Sequence, residues 1–261
     1  MAGARPDSFS YAVAGVKVIT NAPVAGLPAS TDAPAELELT LAWRAPAPAA
    51  AAPPAGDGPW HAVPNPGYPA QAQLRGDGKL VVVTLHEPAA VIDQAMVRWL
   101  VPFAAALQGR VILHAAAAAR DDVACAFIGP SGVGKSTAAE HLRARGWSLL
   151  ATDLLPCVVD EAAVRTRPAN VVLRAAGFLA RAPQATAAVI EALSPRAALA
   201  LLAANGFGEL DVAAVRARQF DFYCRVAAVL PCYRLTVPDD LARLPRALDR
   251  WEAVIARAGR G

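Results

Sequence analysis

Cys125-Ala126-Phe127-Ile128-Gly129-Pro130-Ser131-Gly132-Val133-Gly134-Lys135-Ser136-Thr137 is the stretch on which the fold turns. Gly129, Gly134, Lys135 and Ser136 fit the spacing G-x-x-x-x-G-K-[ST]. The apolar run before it, residues 123–128, predicts a buried strand. The run after it, residues 135–145, predicts a helix that Gly146 ends at its C′ position. A strand that feeds a glycine-rich turn into a helix N-terminus is the context in which this spacing makes a phosphate site.

The reason is local. Glycines let consecutive backbone N–H groups turn inward with no Cβ in the way, at the positive end of a helix dipole. The expected phosphate-binding set is Gly129, Pro130, Ser131, Gly132, Val133, Gly134, Lys135, Ser136 and Thr137. Lys135 reaches the terminal phosphates of a nucleotide, and the Ser136 hydroxyl ligates the magnesium that bridges them. A glycine turn with a surface lysine and a capping serine would show the same spacing, but the flanking strand and helix weigh against it.

Downstream, Trp147-Ser148-Leu149-Leu150-Ala151-Thr152-Asp153 predicts an apolar strand ending 18 positions beyond Lys135 (153 minus 135). That length holds one helix, one turn and one strand, so the chain is expected to return beside the loop. A carboxylate at that strand end faces the phosphates, where magnesium or an attacking hydroxyl would sit. The plainer alternative for Asp153 is a capping or turn aspartate. Arg165, Arg167 and Arg174 lie close enough in sequence to supply a neutralising cation.

Working outward, residues 9–20 predict a first strand and residues 37–43 a period-two strand with Leu37, Leu39, Leu41 and Trp43 on one face. Residues 45–69, rich in Ala, Pro and Gly, predict an unpacked loop. Gly76-Asp77-Gly78 between two β-prone runs predicts a hairpin over 71–85. The period changes near Ala90, and residues 91–107 carry helical spacing up to Gly109. Residues 111–118 and 123–128, joined by Arg120-Asp121-Asp122, predict an antiparallel hairpin directly before the loop. Beyond Asp153 we expect a short β pair (157–160 and 163–166), then a short helix over 186–193. A helix from Ser194-Pro195 to Asn205-Gly206 follows, then a long helix over 211–230 and a strand over 232–237. The last expected element is a helix over 239–258 interrupted at Pro245. The expected organisation is a small β-rich accessory domain over 1–90 and a catalytic domain over 91–261.

Composition narrows the rest. The 261 residues carry a net charge of only +3, spread widely, so no basic patch suggests nucleic acid. The four cysteines, Cys125, Cys157, Cys224 and Cys232, lack C-x-x-C spacing and read as reduced core residues. No basic-then-apolar start marks a signal peptide. The most apolar stretch, 96–119, is cut by Arg98, Gln108, Arg110 and His114, too polar to span a membrane. A cytoplasmic protein is the expectation.

Several blocks together resemble the catalytic domain of HPr kinase/phosphorylase-like proteins. They are His114-Ala115, the hairpin, Gly129-Pro130-Ser131-Gly132-Val133-Gly134-Lys135-Ser136-Thr137, Gly146, and Leu149-Leu150-Ala151-Thr152-Asp153. Pro231-Cys232-Tyr233-Arg234-Leu235 and Asp240-Leu241-Ala242-Arg243-Leu244-Pro245 resemble the C-terminal part of the short relatives, some encoded with ribosomally made peptides such as lasso peptides. The resemblance covers roughly residues 95–255. It implies an α/β P-loop fold related to phosphoenolpyruvate carboxykinase. It also implies ATP and Mg2+ as cofactors, and a kinase that phosphorylates a serine-type hydroxyl of a peptide or small protein, often as a homo-oligomer. His114 then matches a histidine near the transferred phosphate. Asp153 matches the second of two aspartates that provide the base and a metal-linked carboxylate, and Thr152 stands where the first would be. The implied catalytic set is therefore Asp153, His114 and Lys135, with Ser136 and Asp153 on the metal. No block matches the family's region that engages HPr, so HPr is not the expected acceptor. A small-molecule kinase and a nucleotide-binding regulator without turnover remain alternatives to the peptide kinase.

Overall fold

Alternating apolar residues build the first sheet, whose strands follow the hydrophobic pattern closely. The computed structural model describes residues 8–30, 37–44, 58–64, 67–68, 70–85, 92–182, 187–207, 210–238 and 244–258. The chain is mixed α/β and divides into two units, Met1–Val111 with Gly208–Arg218 and Ile112–Phe207 with Gln219–Gly261.

In the first unit β1 (Phe9–Val13) and β2 (Val16–Thr20) form a hairpin where one strand was expected. Ala14 and Gly15 both adopt positive φ, 51° and 73°, which reverses the chain in two residues. β3 (Val24–Ala25) is brief. In β4 (Leu37–Arg44), Leu39, Leu41 and Trp43 are buried as the period predicts, and Leu37 is half-buried at the strand's start. The Trp43 indole donates to Thr20 Oγ1 at 2.6 Å, which satisfies both buried polar groups. β5 (Trp60–Ala62) pairs with the next strand inside the stretch expected to be an unpacked loop; residues 45–57, 65–66 and 69 of that stretch lie outside the described residues. β6 (Ala70–Arg75) and β7 (Leu80–Leu85) are the expected hairpin, with Asp77 accepting from the Lys79 amide in its turn. The sheet runs β1-β2-β4-β7-β6-β5.

β8 (Ile92–Asp93) leads into α1 (Gln94–Leu107), whose Asp93 side chain caps the Ala95 amide. α1 packs on β4 and β7, so the division falls at Val111 rather than at the change of period near Ala90.

In the second unit β9 (Val111–Arg120) and β10 (Val123–Ile128) are the expected antiparallel hairpin, turned at Asp121 with φ 56°. α2 (Lys135–Arg143) follows the glycine loop, and then β11 (Ser148–Ala151). β11 pairs antiparallel with β9, so it runs parallel to β10 with β9 between them and not directly beside the loop strand. β12 (Leu154–Val159) and β13 (Val164–Thr166) are the expected short pair.

β14 (Val172–Arg181) is the parallel partner of β10, with Phe178 opposite Ile128. β15 (Val189–Ala192) replaces the short helix expected there; residues 183–186 lie outside the described residues. Its apolar run is too short for periodicity to separate strand from helix, and pairing decides. α3 (Pro195–Ala204) starts at the Ser194 cap, and α4 (Ala213–Val229) is the expected long helix. β16 (Cys232–Val237) pairs parallel with β14 and antiparallel with β15. α5 (Leu244–Ala258) is described from the residue before Pro245 onward. Residues 239–243 of the expected helix lie outside the described residues. β10, β9, β12, β13 and β14 close into a ring through the β10–β14 pairing.

Trp251 of α5 is fully buried, with Phe127 of β10 at 6.0 Å and Tyr233 of β16 at 5.7 Å between ring centroids. This aromatic trio sits beneath the loop strand. Trp251→Ala is expected to cost about 3–5 kcal/mol, read as a lower denaturant midpoint at unchanged slope. An unshifted midpoint would contradict this view of the core. Cys125, Cys157 and Cys232 are reduced and buried, and Cys224 is half-buried. Burial pushes the first three thiols up to about 12, so they are packing groups rather than reactive ones. No helix among the described residues is long and apolar enough to cross a membrane.

Candidate functional site

β10 ends at Ile128 and the chain turns sharply. Gly129 takes φ 153°, Gly132 77° and Gly134 108°. A Cβ on Gly129 would lie 3.0 Å from both the Leu179 carbonyl oxygen and Val133 Cγ1, so a side chain there would lift the loop off β14. Gly134 is the cap residue of α2 and offers no side chain to the helix's first amides. Those N–H groups have no intrahelical partner, which suits them to an anion. Pro130, Ser131, Gly132 and Ser136 are exposed; Val133, Gly134 and Thr137 are half-buried; Gly129 and Lys135 are buried.

Lys135, only 6% exposed, folds back over the loop. Its Nζ donates to the Gly129 carbonyl at 2.8 Å and to the Pro130 carbonyl at 3.2 Å. Burial pushes its ammonium below the ordinary lysine value, and the Asp153 carboxylate partly offsets that. A phosphate needs this amine protonated, and raising the pH through a lowered pKa strips the proton. Affinity for MgADP is therefore expected to fall on the alkaline side, beginning below the ordinary value of 10.5. Calorimetric titrations across pH would measure it, and an affinity flat up to that value would contradict it.

The end of β11 brings the acid in. The Ala115 amide donates to the Asp153 carbonyl at 3.0 Å, and Ala115 faces Ile128 across the hairpin. Asp153 is thereby fixed one strand away from the residue that precedes Gly129. His114 Nε2 lies 3.1 Å from Asp153 Oδ1, with the His114 ring 5.1 Å from that of Phe207. The Ser136 hydroxyl donates to the Thr152 carbonyl at 2.8 Å, tying the first turn of α2 to the same strand end. Three separate segments, around positions 114, 135 and 153, thus converge on one mouth. The arrangement can hold a phosphate chain on backbone amides and one ammonium. It keeps a carboxylate and an imidazole within reach of a proton on an incoming hydroxyl.

For a hard cation the mouth offers the Ser136 hydroxyl and the Asp153 carboxylate. Among the described residues no cluster of three or more His, Cys, Asp or Glu could hold a metal ion. Such a sparse set fits magnesium, which takes most of its ligands from phosphate and water.

The three arginines considered from sequence do not gather here. Arg165 pairs with Asp160 at 3.2 Å and faces Val172. Val172 in turn faces Val123, at the opposite end of β10 from the loop. Arg174 follows Leu173, whose partner Ala124 is also at that far end. Arg167 follows β13, and its amide donates to the Pro156 carbonyl at 2.9 Å. The arginine at the loop is Arg181, the last residue of β14, whose Nε donates to the Val133 carbonyl at 3.0 Å. Once β14 is known as the parallel neighbour of β10, the register alone puts its C-terminal end at the loop.

No protein-family model and no curated protein sequence matches the chain. Among solved structures it is similar to the Hpr(Ser) kinase/phosphatase from Coxiella burnetii, at 9% identity and a TM-score of 0.35, over 57% of this chain and 99% of that one.

Proposed function

We propose that this chain is an ATP-dependent kinase that transfers the γ-phosphoryl group to a serine-type hydroxyl of a peptide or small protein. The observation that carries the reading is the convergence of the glycine loop, Lys135 and Ser136 with the His114–Asp153 pair. Phosphoryl transfer asks for positioning and charge neutralisation more than for covalent chemistry, and this mouth offers both.

In this reading the amides of residues 131–136 hold the phosphate chain, and Lys135 leaves the Gly129 and Pro130 carbonyls to neutralise it. Asp153 orients the acceptor hydroxyl and takes its proton, with His114 fixing the carboxylate and sharing the charge. The bond from the acceptor oxygen to γ-phosphorus forms as the bond from that phosphorus to the β,γ-bridging oxygen breaks, and ADP leaves. Magnesium, when bound, would neutralise the phosphate oxygens, held by Ser136 and Asp153. The sequence blocks at His114, at the loop and at Asp153 support kinship with the short HPr-kinase-like proteins found beside ribosomal peptide pathways. The N-terminal β-rich part would then be an accessory to the catalytic part.

A second reading, a nucleotide-binding regulator without turnover, draws on Thr152, whose carbonyl holds Ser136 where the family has another carboxylate. Incubation with γ-labelled ATP, magnesium and a pool of serine-containing peptides separates the two. Protein-dependent label on serine is expected. Label on metabolites alone would point to a small-molecule kinase, and tight ATP binding without any transfer would leave the regulator.

A further inference from the structure

We infer that Arg181 is a positioning residue of the phosphate site: it aims the Gly134 amide into the loop by holding the Val133 carbonyl from behind. The inference rests on the phosphate-binding part of the reading above and goes beyond the loop motif, which does not contain this arginine.

In the plane of a trans peptide the carbonyl of one residue and the N–H of the next point in opposite directions. Val133 C=O and Gly134 N–H share such a plane, so whatever fixes the oxygen on one side fixes the hydrogen on the other. Arg181 Nε donates to that oxygen at 3.0 Å. Its Nη2 lies 2.9 Å from where a Cβ on Gly134 would stand, so the guanidinium covers the outer side of this residue. Gly134 at φ 108° is otherwise a soft position, because glycine crosses between backbone conformations at little cost. A loop that must present several N–H groups to one anion cannot leave that plane free to rotate.

The rest of β14 makes Arg181 able to do this. The strand is bonded to β10 up to Phe178 opposite Ile128 and to β16 through Arg181 opposite Val237. The Ala182 amide continues the ladder by donating to the Val237 carbonyl at 3.1 Å. The Leu179 carbonyl packs against Gly129 at the loop's start while Arg181 holds its far end, so one rigid strand braces the loop at both ends. The guanidinium also adds a fixed positive charge behind the amides, which raises the local potential for an anion.

The test uses the full chain and calorimetric titration with MgADP and with magnesium pyrophosphate. Arg181→Leu removes both the donor and the charge, and is expected to weaken both probes by about tenfold or more, as loss of an oriented donor does. Arg181→Gln keeps a planar N–H donor and loses the charge. It is expected to recover part of the loss, which general destabilisation of the strand end would not produce. Equal affinity of Arg181→Leu and the unaltered chain would overturn the inference while leaving the nucleotide site standing. Loss in Arg181→Gln as complete as in Arg181→Leu would also overturn it, since the carbonyl hold would then contribute nothing. If the unaltered chain binds MgADP but transfers no phosphate, the kinase reading falls and the Arg181 comparison still decides. If it binds neither probe, both fall together.

Discussion

Lys135→Ala is expected to reduce phosphoryl transfer by about a hundredfold to a thousandfold, the scale seen when a preorganised donor is removed from a developing anion. The ammonium is the cation that the loop itself carries, and it lies 2.8 Å from the Gly129 carbonyl at the base of the nest. Burial desolvates this ammonium and lowers its pKa, and a phosphate would satisfy it far better than two carbonyls do. The loss is expected in kcat and in ATP affinity together, because the amine meets the phosphates both before and during transfer. Melting should move little, since the side chain donates only to loop carbonyls that water can reach once it is gone. Rates measured with γ-labelled ATP at saturating acceptor would show this, and transfer at the unaltered rate would remove Lys135 from the site.

Asp153→Asn is expected to lower kcat by about a hundredfold to ten-thousandfold, the usual worth of a positioned general base, while MgADP affinity changes much less. The amide keeps the shape and can still meet His114, but it cannot accept a proton from an acceptor hydroxyl. The present geometry, Oδ1 at 3.1 Å from His114 Nε2, holds the carboxylate in place through a second group on another strand. A split between kcat and nucleotide affinity is the signature of a base. A large fall in MgADP affinity, restored by excess magnesium, would instead make the carboxylate mainly a metal ligand. Transfer unaffected by the change would contradict both roles.

The loop, α2 and the hairpin before them could be read because their signals are local. Glycines at fixed spacing, a period-two run and a helical run each announce themselves within about ten residues. β14 could not be read that way. Val172-Leu-Arg-Ala-Ala-Gly-Phe-Leu-Ala-Arg181 is largely buried across both faces and shows little alternation, and its place beside β10 is a long-range parallel pairing. Without that strand nothing places Arg181 at the loop, whereas Arg165, Arg167 and Arg174 are near it in sequence distance alone. Antiparallel pairings between strands distant in sequence put β11 on the far side of β9 from the loop strand and made β15 a strand where a helix is expected. The meeting of His114 with Asp153 rests on β9 sitting between β10 and the end of β11, a topology that no short window of sequence contains.

The central claim is that the backbone around Gly132 wraps a nucleotide's phosphates and that Asp153 looks into the same space. A crystal structure with magnesium and a non-hydrolysable ATP analogue tests it most directly. The account predicts phosphate oxygens on the amides of residues 131–136, Lys135 Nζ moved from the Gly129 and Pro130 carbonyls onto those oxygens, and the Asp153 carboxylate beside the terminal phosphate. An analogue seated elsewhere at saturating concentration, with Lys135 still on its two carbonyls, would contradict it.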